Sequence, residues 1–243
     1  VLWCALRELD NQSGDWLVSV FYSVDDGQSW SDSGNLFGTP NGFPQKSPKL
    51  LSINGQVALV MHDEEENNGT PIFSKKIYFR DDISALDVAW AAGPELLMNA
   101  NDRDVFGTHW SIAADWQGNL HMAYQYDGIN YVKFDATSGT WSSPSSLTGN
   151  GVYATISVSD VTSGPVDIYV FAAVNGIMYT AKFDGTSSSW GSPKKISRAY
   201  WQLSTQMRMS TLERYSRYLP VLYQVDDLNP RLIYNLLDDT PDQ

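Results

Sequence analysis

A strand-and-turn pattern occurs twice in succession in the middle of the chain, and this repeat constrains the fold more than any other feature. The first copy spans residues 118–144 and the second spans residues 166–193. Each copy has two short apolar strands, a Phe-Asp pair, a Ser-containing turn, a tryptophan and a proline. Tryptophans that close such turns stand 60, 51 and 49 residues apart, at Trp30, Trp90, Trp141 and Trp190.

This spacing is typical of a β-propeller, whose blades take roughly 40–50 residues each. The apolar segments are short, rich in β-branched and aromatic residues and bounded by turn formers, and no helix of three turns is predicted. We therefore predict an all-β fold, a single β-propeller domain of about five blades, each a three- or four-stranded antiparallel sheet. An open sandwich is the alternative, which does not require equal repeats. The predicted blade units are 1–36, 47–97, 110–147, 152–196 and 205–237. The outermost strands of the middle three units are predicted at 90–97, 141–147 and 190–196, and a loop at 63–71 is predicted between the second and third strands of the second unit.

Charge excludes one class of partner. The 243-residue chain has 28 acidic and 16 basic side chains, a formal net charge of −12, without a cluster of Lys and Arg. Nucleic-acid surfaces neutralise phosphates with such clusters, so no nucleic-acid partner is predicted. No window reaches the ~20 apolar residues of a membrane span. Phosphate loops, zinc spacings and nucleophile elbows are missing from the sequence, so we predict no cofactor and no metal. The acidic run at 62–68 could hold a hard cation, but it lacks the alternate-residue spacing of a calcium loop and is predicted to be a solvated loop.

The single cysteine and the glycosylation sequons bear on the compartment. Cys4 lies in an apolar run and is predicted to be a buried structural thiol rather than a nucleophile. No signal-peptide pattern begins the sequence, and we predict a soluble chain. Asn11 and Asn68 begin glycosylation sequons that would be used only in a secreted protein, so the localisation stays open.

The segment from Ser23 to Trp30 matches the pattern S-x-D-x-G-x-x-W at every defining position. It predicts a hairpin in which Asp25 accepts hydrogen bonds from turn amides, Gly27 takes a positive φ and Trp30 covers the turn. The segment resembles the Asp-box, or BNR repeat, of sialidases and propeller lectins. This resemblance implies a structural role, on the face away from the ligand site.

The strands at 2–8 and 14–18 resemble those of a sialidase first blade. Sialidases carry an arginine in a Phe/Tyr-Arg-Ile-Pro motif, but this sequence has no Arg-Ile-Pro. For a hydrolase, the resemblance implies Asp10 as the acid/base residue, while Arg103, Arg198 and Arg208 are candidates for holding a substrate carboxylate.

A ligand site is predicted at the loops opposite the Asp-box turn. Aromatic faces stack on the C–H surfaces of sugars, while Asp, Asn, His and Arg bond their hydroxyls. Trp110 and His121 are predicted to be structural, because both lie in strands. The predicted ligand-binding residues are His62, Asp63, Arg103, Asp104, His109, Tyr126, Asp127, Asn175, Arg198, Tyr200, Trp201 and Asp226.

These patterns together predict a lectin that recognises glycans or glycoproteins through its loop residues. A sialidase-like glycoside hydrolase is the alternative, which leaves open whether the protein is an enzyme. A protein-interaction propeller is a third possibility, supported by the net charge alone. The oligomeric state is left open by the sequence.

Overall fold

The computed structural model describes residues 1–9, 16–37, 48–53, 55–67, 70–80, 90–98, 110–159, 161–175, 177–196, 209–211, 218–225 and 231–238. Every element of regular secondary structure within these ranges is a β-strand. The described part contains no helix that is long and apolar enough to span a membrane.

The strands are short and follow one another at tight turns. Their bounds are β1 Leu2–Leu9, β2 Trp16–Ser23, β3 Ser31–Phe37, β4 Lys49–Ile53, β5 Gln56–Asn67, β6 Thr70–Arg80, β7 Ala91–Ala92, β8 Leu96–Met98, β9 Trp110–Ala114, β10 Leu120–Gln125, β11 Ile129–Asp135, β12 Thr140–Trp141, β13 Ser145–Thr148, β14 Gly151–Val158, β15 Ile168–Val174, β16 Ile177–Asp184, β17 Ser189–Trp190, β18 Lys194–Lys195, β19 Met209–Thr211, β20 Tyr218–Val225 and β21 Arg231–Asp238.

The chain forms two compact units, and the first comprises residues 1–107 and 137–141. Its first sheet has the order β1-β2-β3. Its second sheet has the order β4-β5-β6-β7, with β8 also paired to β6. Neighbouring strands are antiparallel. These are meanders, the arrangement expected of propeller blades.

The two sheets of the first unit pack face to face around fully buried aliphatic side chains. Val18 and Val20 of β2 meet Leu59 and Met61 of β5, and all four are 0% exposed. Partly buried side chains pack around them, among them Trp3 and Trp90, whose rings meet edge to face with centroids 5.8 Å apart. Burying four large aliphatic side chains contributes roughly 1.5–3 kcal/mol each.

The second unit comprises residues 108–136 and 142–243. In its first sheet the strand order is β9-β10-β11, and β13 also pairs with β11. In its second sheet the order is β14-β15-β16-β17, and β18 also pairs with β16. The backbone of a third sheet has the order β19-β20-β21. The first two pack through buried residues of β10, β11, β14 and β15, including Ile129, Tyr131, Ile156 and Val170.

The all-β prediction is confirmed for the described residues, and the predicted strand bounds need two corrections. The loop predicted at 63–71 is largely strand, since β5 runs to Asn67 and β6 begins at Thr70. The outermost strands predicted at 90–97, 141–147 and 190–196 are each split into two short pieces.

Proline explains the split outermost strands. Pro94, Pro144 and Pro193 lie between the two pieces, and proline has no N–H to donate to the neighbouring strand. One or two residues before each proline, a backbone N–H still donates to a carbonyl of the neighbouring strand. These bonds run from Gly93 to Ile77, from Ser142 to Lys133 and from Gly191 to Lys182, each at 2.8 Å.

Cys4 differs from its prediction. It is a free thiol of intermediate exposure rather than a buried one. Strand alternation explains this, because Trp3 and Ala5 face the core of the first unit and Cys4 lies between them on the other side of β1.

Candidate functional site

The turn between β2 and β3 is held by the side chain of Asp25. Its carboxylate accepts hydrogen bonds from the Ser29 N–H at 2.9 Å, the Ser29 hydroxyl at 2.6 Å and the Ser23 hydroxyl at 2.7 Å. Because the bonds from Ser29 favour the charged carboxylate, they lower the pKa of Asp25 to about 2. Gly27 has a φ of 85°. The predicted roles of Asp25 and Gly27 are confirmed, and the Asp25 carboxylate is engaged in holding the hairpin.

The repeated sheets of the second unit share an anchoring contact. The side-chain oxygen of Asn119 accepts a hydrogen bond from the Ala136 N–H at 3.0 Å, and Asp167 accepts one from the Gly185 N–H at 3.0 Å. In both sheets, the side chain of the residue just before the second strand (β10 or β15) accepts a hydrogen bond from the backbone N–H of the residue that follows the Phe-Asp pair. The repeat found in the sequence is therefore present in the hydrogen bonding.

A buried polar network fixes the turn between β9 and β10. Asp115 accepts hydrogen bonds from the backbone N–H groups of Gln117 and Asn119, both at 2.9 Å. The His121 ring joins Asp115 through Nε2 at 3.0 Å and the Tyr131 hydroxyl through Nδ1 at 2.7 Å. One tautomer satisfies both contacts, with Nε2–H donating to Asp115 and Nδ1 accepting the Tyr131 proton.

Burial and hydrogen bonding act in opposite directions on this network. The side chains of His121 and Asp115 are 3% and 2% exposed. Burial alone opposes the charge of Asp115, but the bonds from His121 and Asn119 outweigh it and hold the pKa of the carboxyl below its usual range. Burial, reinforced by the charge of Asp115, raises the pKa of the Tyr131 hydroxyl. The phenol therefore keeps its proton.

Consecutive turns of an antiparallel meander lie alternately at its two ends. The turns anchored by Asn119, Asp167 and Asp115 therefore share one end of the sheets of the second unit. At the opposite end are the β10–β11 and β15–β16 turns, which carry the predicted ligand residues Tyr126, Asp127 and Asn175.

The β10–β11 turn presents Asp127 to solvent. Asp127 is exposed with a φ of 43°, and the Tyr126 N–H donates to the Gly128 carbonyl at 2.8 Å. Gly128 has a φ of 106°, and a Cβ there would lie 1.9 Å from the carbonyl oxygen of Thr148. Only glycine fits this close approach, so the turn is pressed against the segment between β13 and β14 and Asp127 is held in place.

The β15–β16 turn presents Asn175 in the same manner. Asn175 is exposed and has a φ of 49°. Asp and Asn enter this left-handed region more readily than other residues with side chains, so both turns display a polar group at their apex. The structure thus places Asp127 and Asn175 at corresponding turns of repeated sheets.

The other predicted site residues lie elsewhere in the chain. His62 lies inside β5 with 0% exposure, and Asp63 follows it in the same strand rather than in a loop. Nine candidates lie outside the described residues, and these are Asp10, Arg103, Asp104, His109, Arg198, Tyr200, Trp201, Arg208 and Asp226.

Two structural predictions are confirmed, and one surface residue was not anticipated. Trp110 is 2% exposed and His121 is 3% exposed, so both are buried. Trp116, in the β9–β10 turn, is 38% exposed although its indole N–H donates to the Gly164 carbonyl at 3.2 Å. The sequence signal that could have indicated its exposure is its position inside a turn rather than in a strand.

Comparison with known proteins supports the fold. The sequence matches no known family profile and no curated protein. Polysaccharide lyase Uly1 has a similar structure, with a TM-score of 0.56 and 12% identity over 98% of this chain. The match covers 56% of the lyase, so this chain spans about half of that protein.

Two further proteins have similar structures. A triple mutant of AofleA from Arthrobotrys oligospora aligns with a TM-score of 0.55 and 12% identity, over 97% of this chain and 69% of that one. A mutant of Aleuria aurantia lectin bound to α-methyl-L-fucoside aligns with a TM-score of 0.50 and 15% identity, over 98% of this chain and 79% of the lectin chain. Aleuria aurantia lectin is described as a six-bladed β-propeller. At these identities the likeness concerns the fold, and it supports a β-propeller.

Proposed function

We propose that this protein is a carbohydrate-binding β-propeller, a lectin, whose five sheets are successive blades of one propeller. The observation that supports this proposal most is that Asp127 and Asn175 occupy corresponding turns of repeated sheets. Both residues are exposed and have a left-handed backbone conformation. Repetition of a polar turn from blade to blade suits recognition of a ligand that itself has repeated hydroxyl groups.

The chemistry of these turns suits a sugar. A carboxylate accepts hydrogen bonds from two hydroxyls, and an amide both donates and accepts. The half-buried Tyr126 adds an aromatic group beside Asp127, and aromatic faces pack against sugar C–H groups. The Asn130 side chain donates to the Tyr126 carbonyl, which stiffens the turn before a ligand arrives.

The fold comparison agrees with this proposal. Aleuria aurantia lectin, one of the similar structures, holds α-methyl-L-fucoside. We therefore include fucosides among the first ligands to test.

Binding to a glycan array, followed by titration calorimetry with the best ligand, tests the proposal. The informative variant is D127N, which removes the charge but keeps a side chain that tolerates the left-handed backbone. We expect binding to weaken about tenfold, which corresponds to about 1.4 kcal/mol. N175A, which removes the amide, should weaken binding through the second turn.

D26N is the matched control for the D127N variant. Asp26 is also exposed, with a φ of 56° in the β2–β3 turn. D26N should bind like the wild type. A wild type that binds no glycan, or a D127N variant with wild-type affinity, would contradict the proposal.

A sialidase-like hydrolase is the second candidate, favoured by the resemblance of the turn around Asp25 to the Asp-box of sialidases. Under this alternative Asp10 acts as the acid/base residue, and Arg103, Arg198 and Arg208 are candidates for the substrate carboxylate. Hydrolysis of a fluorogenic sialoside by the wild type, lost in D10N, would favour the hydrolase. Glycan binding without turnover would favour the lectin.

A further inference from the structure

We propose a second carbohydrate contact on the second unit, built on Trp116 at the end of the sheets opposite Asp127. It goes beyond the proposed loop site and shares with it only the class of ligand. The contact is an aromatic platform in the β9–β10 turn, flanked by the segment that joins β14 to β15.

Trp116 combines exposure with a fixed orientation. Its side chain is 38% exposed, which makes it one of the exposed large hydrophobic residues of the described chain. Its indole N–H donates to the Gly164 carbonyl at 3.2 Å, so the ring plane is held while part of its surface faces solvent. A sugar that stacks on this ring would find it already ordered, which lowers the entropic cost of binding.

The backbone that carries Trp116 is rigid. Asp115 bonds the N–H groups of Gln117 and Asn119, and the Gly118 N–H donates to the Asp115 carbonyl at 3.0 Å. Asp115 is itself anchored by the buried ring of His121. A short turn with this many bonds keeps the position of the indole constant.

The second wall of the site is open and polar. Gly164 has a φ of 84°, and a Cβ built on it would meet nothing within 4 Å. Its neighbours Thr162 and Ser163 are exposed, as is Gln117 on the turn of Trp116. Two hydroxyls and an amide beside an aromatic ring are groups that bond sugar hydroxyls, and none of them carries a charge. The chemistry therefore fits a neutral saccharide rather than a sialylated or sulfated one.

Oxidative footprinting tests the inference without a mutation. N-bromosuccinimide oxidises exposed indoles, and mass spectrometry of peptides reports each tryptophan separately. Trp30 is the internal control, since it is 46% exposed on the β2–β3 turn. The probes are neutral hexasaccharides of glucose, xylose and mannose at saturating concentration.

We expect at least one hexasaccharide to slow the oxidation of Trp116 about fivefold or more, while Trp30 reacts at its original rate. If none of the three sugars slows the oxidation of Trp116, the inference is overturned. Equal slowing of both tryptophans would overturn it too, because that result indicates consumption of the reagent rather than a bound sugar.

Variants separate this contact from the loop site. W116A should weaken binding of the protecting hexasaccharide about tenfold, the effect of losing one stacking contact, and T162A/S163A should weaken it without removing the ring. If D127N weakens glycan binding and W116A leaves it unchanged, the loop site stands and this inference fails. If Trp116 stays protected in D127N, the Trp116 contact stands independently of the loop site.

Discussion

The ring of Trp190 stands edge-on against the ring of Tyr131, with centroids 4.9 Å apart and planes at 70°. Trp190 belongs to β17 and Tyr131 to β11, so the contact joins the two repeated sheets of the second unit. The Phe183 ring also meets this indole edge to face, with ring centroids 5.4 Å apart. This aromatic cluster links the two sheets, as the contact between Trp90 and Trp3 links the two sheets of the first unit.

Replacement of Trp190 by alanine should destabilise the second unit. The variant loses an edge-to-face pair and leaves a gap beside Tyr131, so we expect the free energy of unfolding to fall by about 2–4 kcal/mol. Urea unfolding followed by circular dichroism measures the change. W30A is the control and should cost less than about 1 kcal/mol, because Trp30 is more exposed. Equal losses in both variants would contradict the role of the Trp190 contact.

The Asp115 network should make stability depend on acid. Folding lowers the pKa of Asp115, so its contribution is complete above the ordinary carboxyl pKa of about 3.9 and is lost as the pH falls through the folded value. At neutral pH, D115N should cost about 3 kcal/mol, because the amide cannot satisfy His121 and the turn amides together.

The same variant provides the pH test. The gap in unfolding free energy between wild type and D115N should narrow as the pH falls below about 4. Chemical denaturation at a series of pH values measures the gap. A gap that stays constant down to acid unfolding would show that Asp115 does not gain its low pKa on folding.

S29A should raise the pKa of Asp25. The pKa is lowered to about 2 chiefly by the hydrogen bond from the Ser29 hydroxyl, followed by that from the Ser29 N–H. Removing the hydroxyl should move the pKa toward 3.8, the ordinary value of an aspartate side chain, while the N–H bond keeps the pKa partly lowered. NMR titration of the Asp25 carboxyl carbon measures it. T186A is the control, since Thr186 contacts a different carboxylate, that of Asp184, through its N–H.

G128A should disrupt the β10–β11 turn. A Cβ at this position would lie 1.9 Å from the Thr148 carbonyl oxygen, and the φ of 106° is strained for any other residue. We expect a loss of about 2–4 kcal/mol, with loss of binding at the Asp127 turn. G139A is the control. Gly139 has a φ of 67° and open space around it, so the backbone strain alone should cost about 1 kcal/mol.

The repeated parts of the fold could be predicted because their signals are local. The Phe-Asp pairs, turn tryptophans and following prolines recur at fixed offsets, and the structure places equivalent hydrogen bonds at Asn119 and Asp167. The Asp25 turn could be predicted for the same reason, since every partner lies within six residues. Short-range patterns of this kind need no knowledge of the rest of the chain.

Features that depend on pairing or packing could not be predicted in the same way. The acidic run after His62 reads as a loop, because Glu and Asn are poor strand formers, yet β5 continues to Asn67 opposite β6. Pairing with a partner strand overrides local preference there. The exposure of Trp116 depends on how far the neighbouring Gly164 segment covers it, which no local pattern reports.

The prolines that split the outermost strands also affect solubility. A long, continuous edge strand offers a row of free N–H and C=O groups on which another chain can build a sheet. In the segments around Pro94, Pro144 and Pro193 the edge pieces are two to four residues long, too short for such templating. The Pro94 carbonyl itself accepts a hydrogen bond from the Trp141 indole N–H at 3.1 Å. In these three sheets the short edge pieces therefore leave little continuous backbone with which another chain could pair.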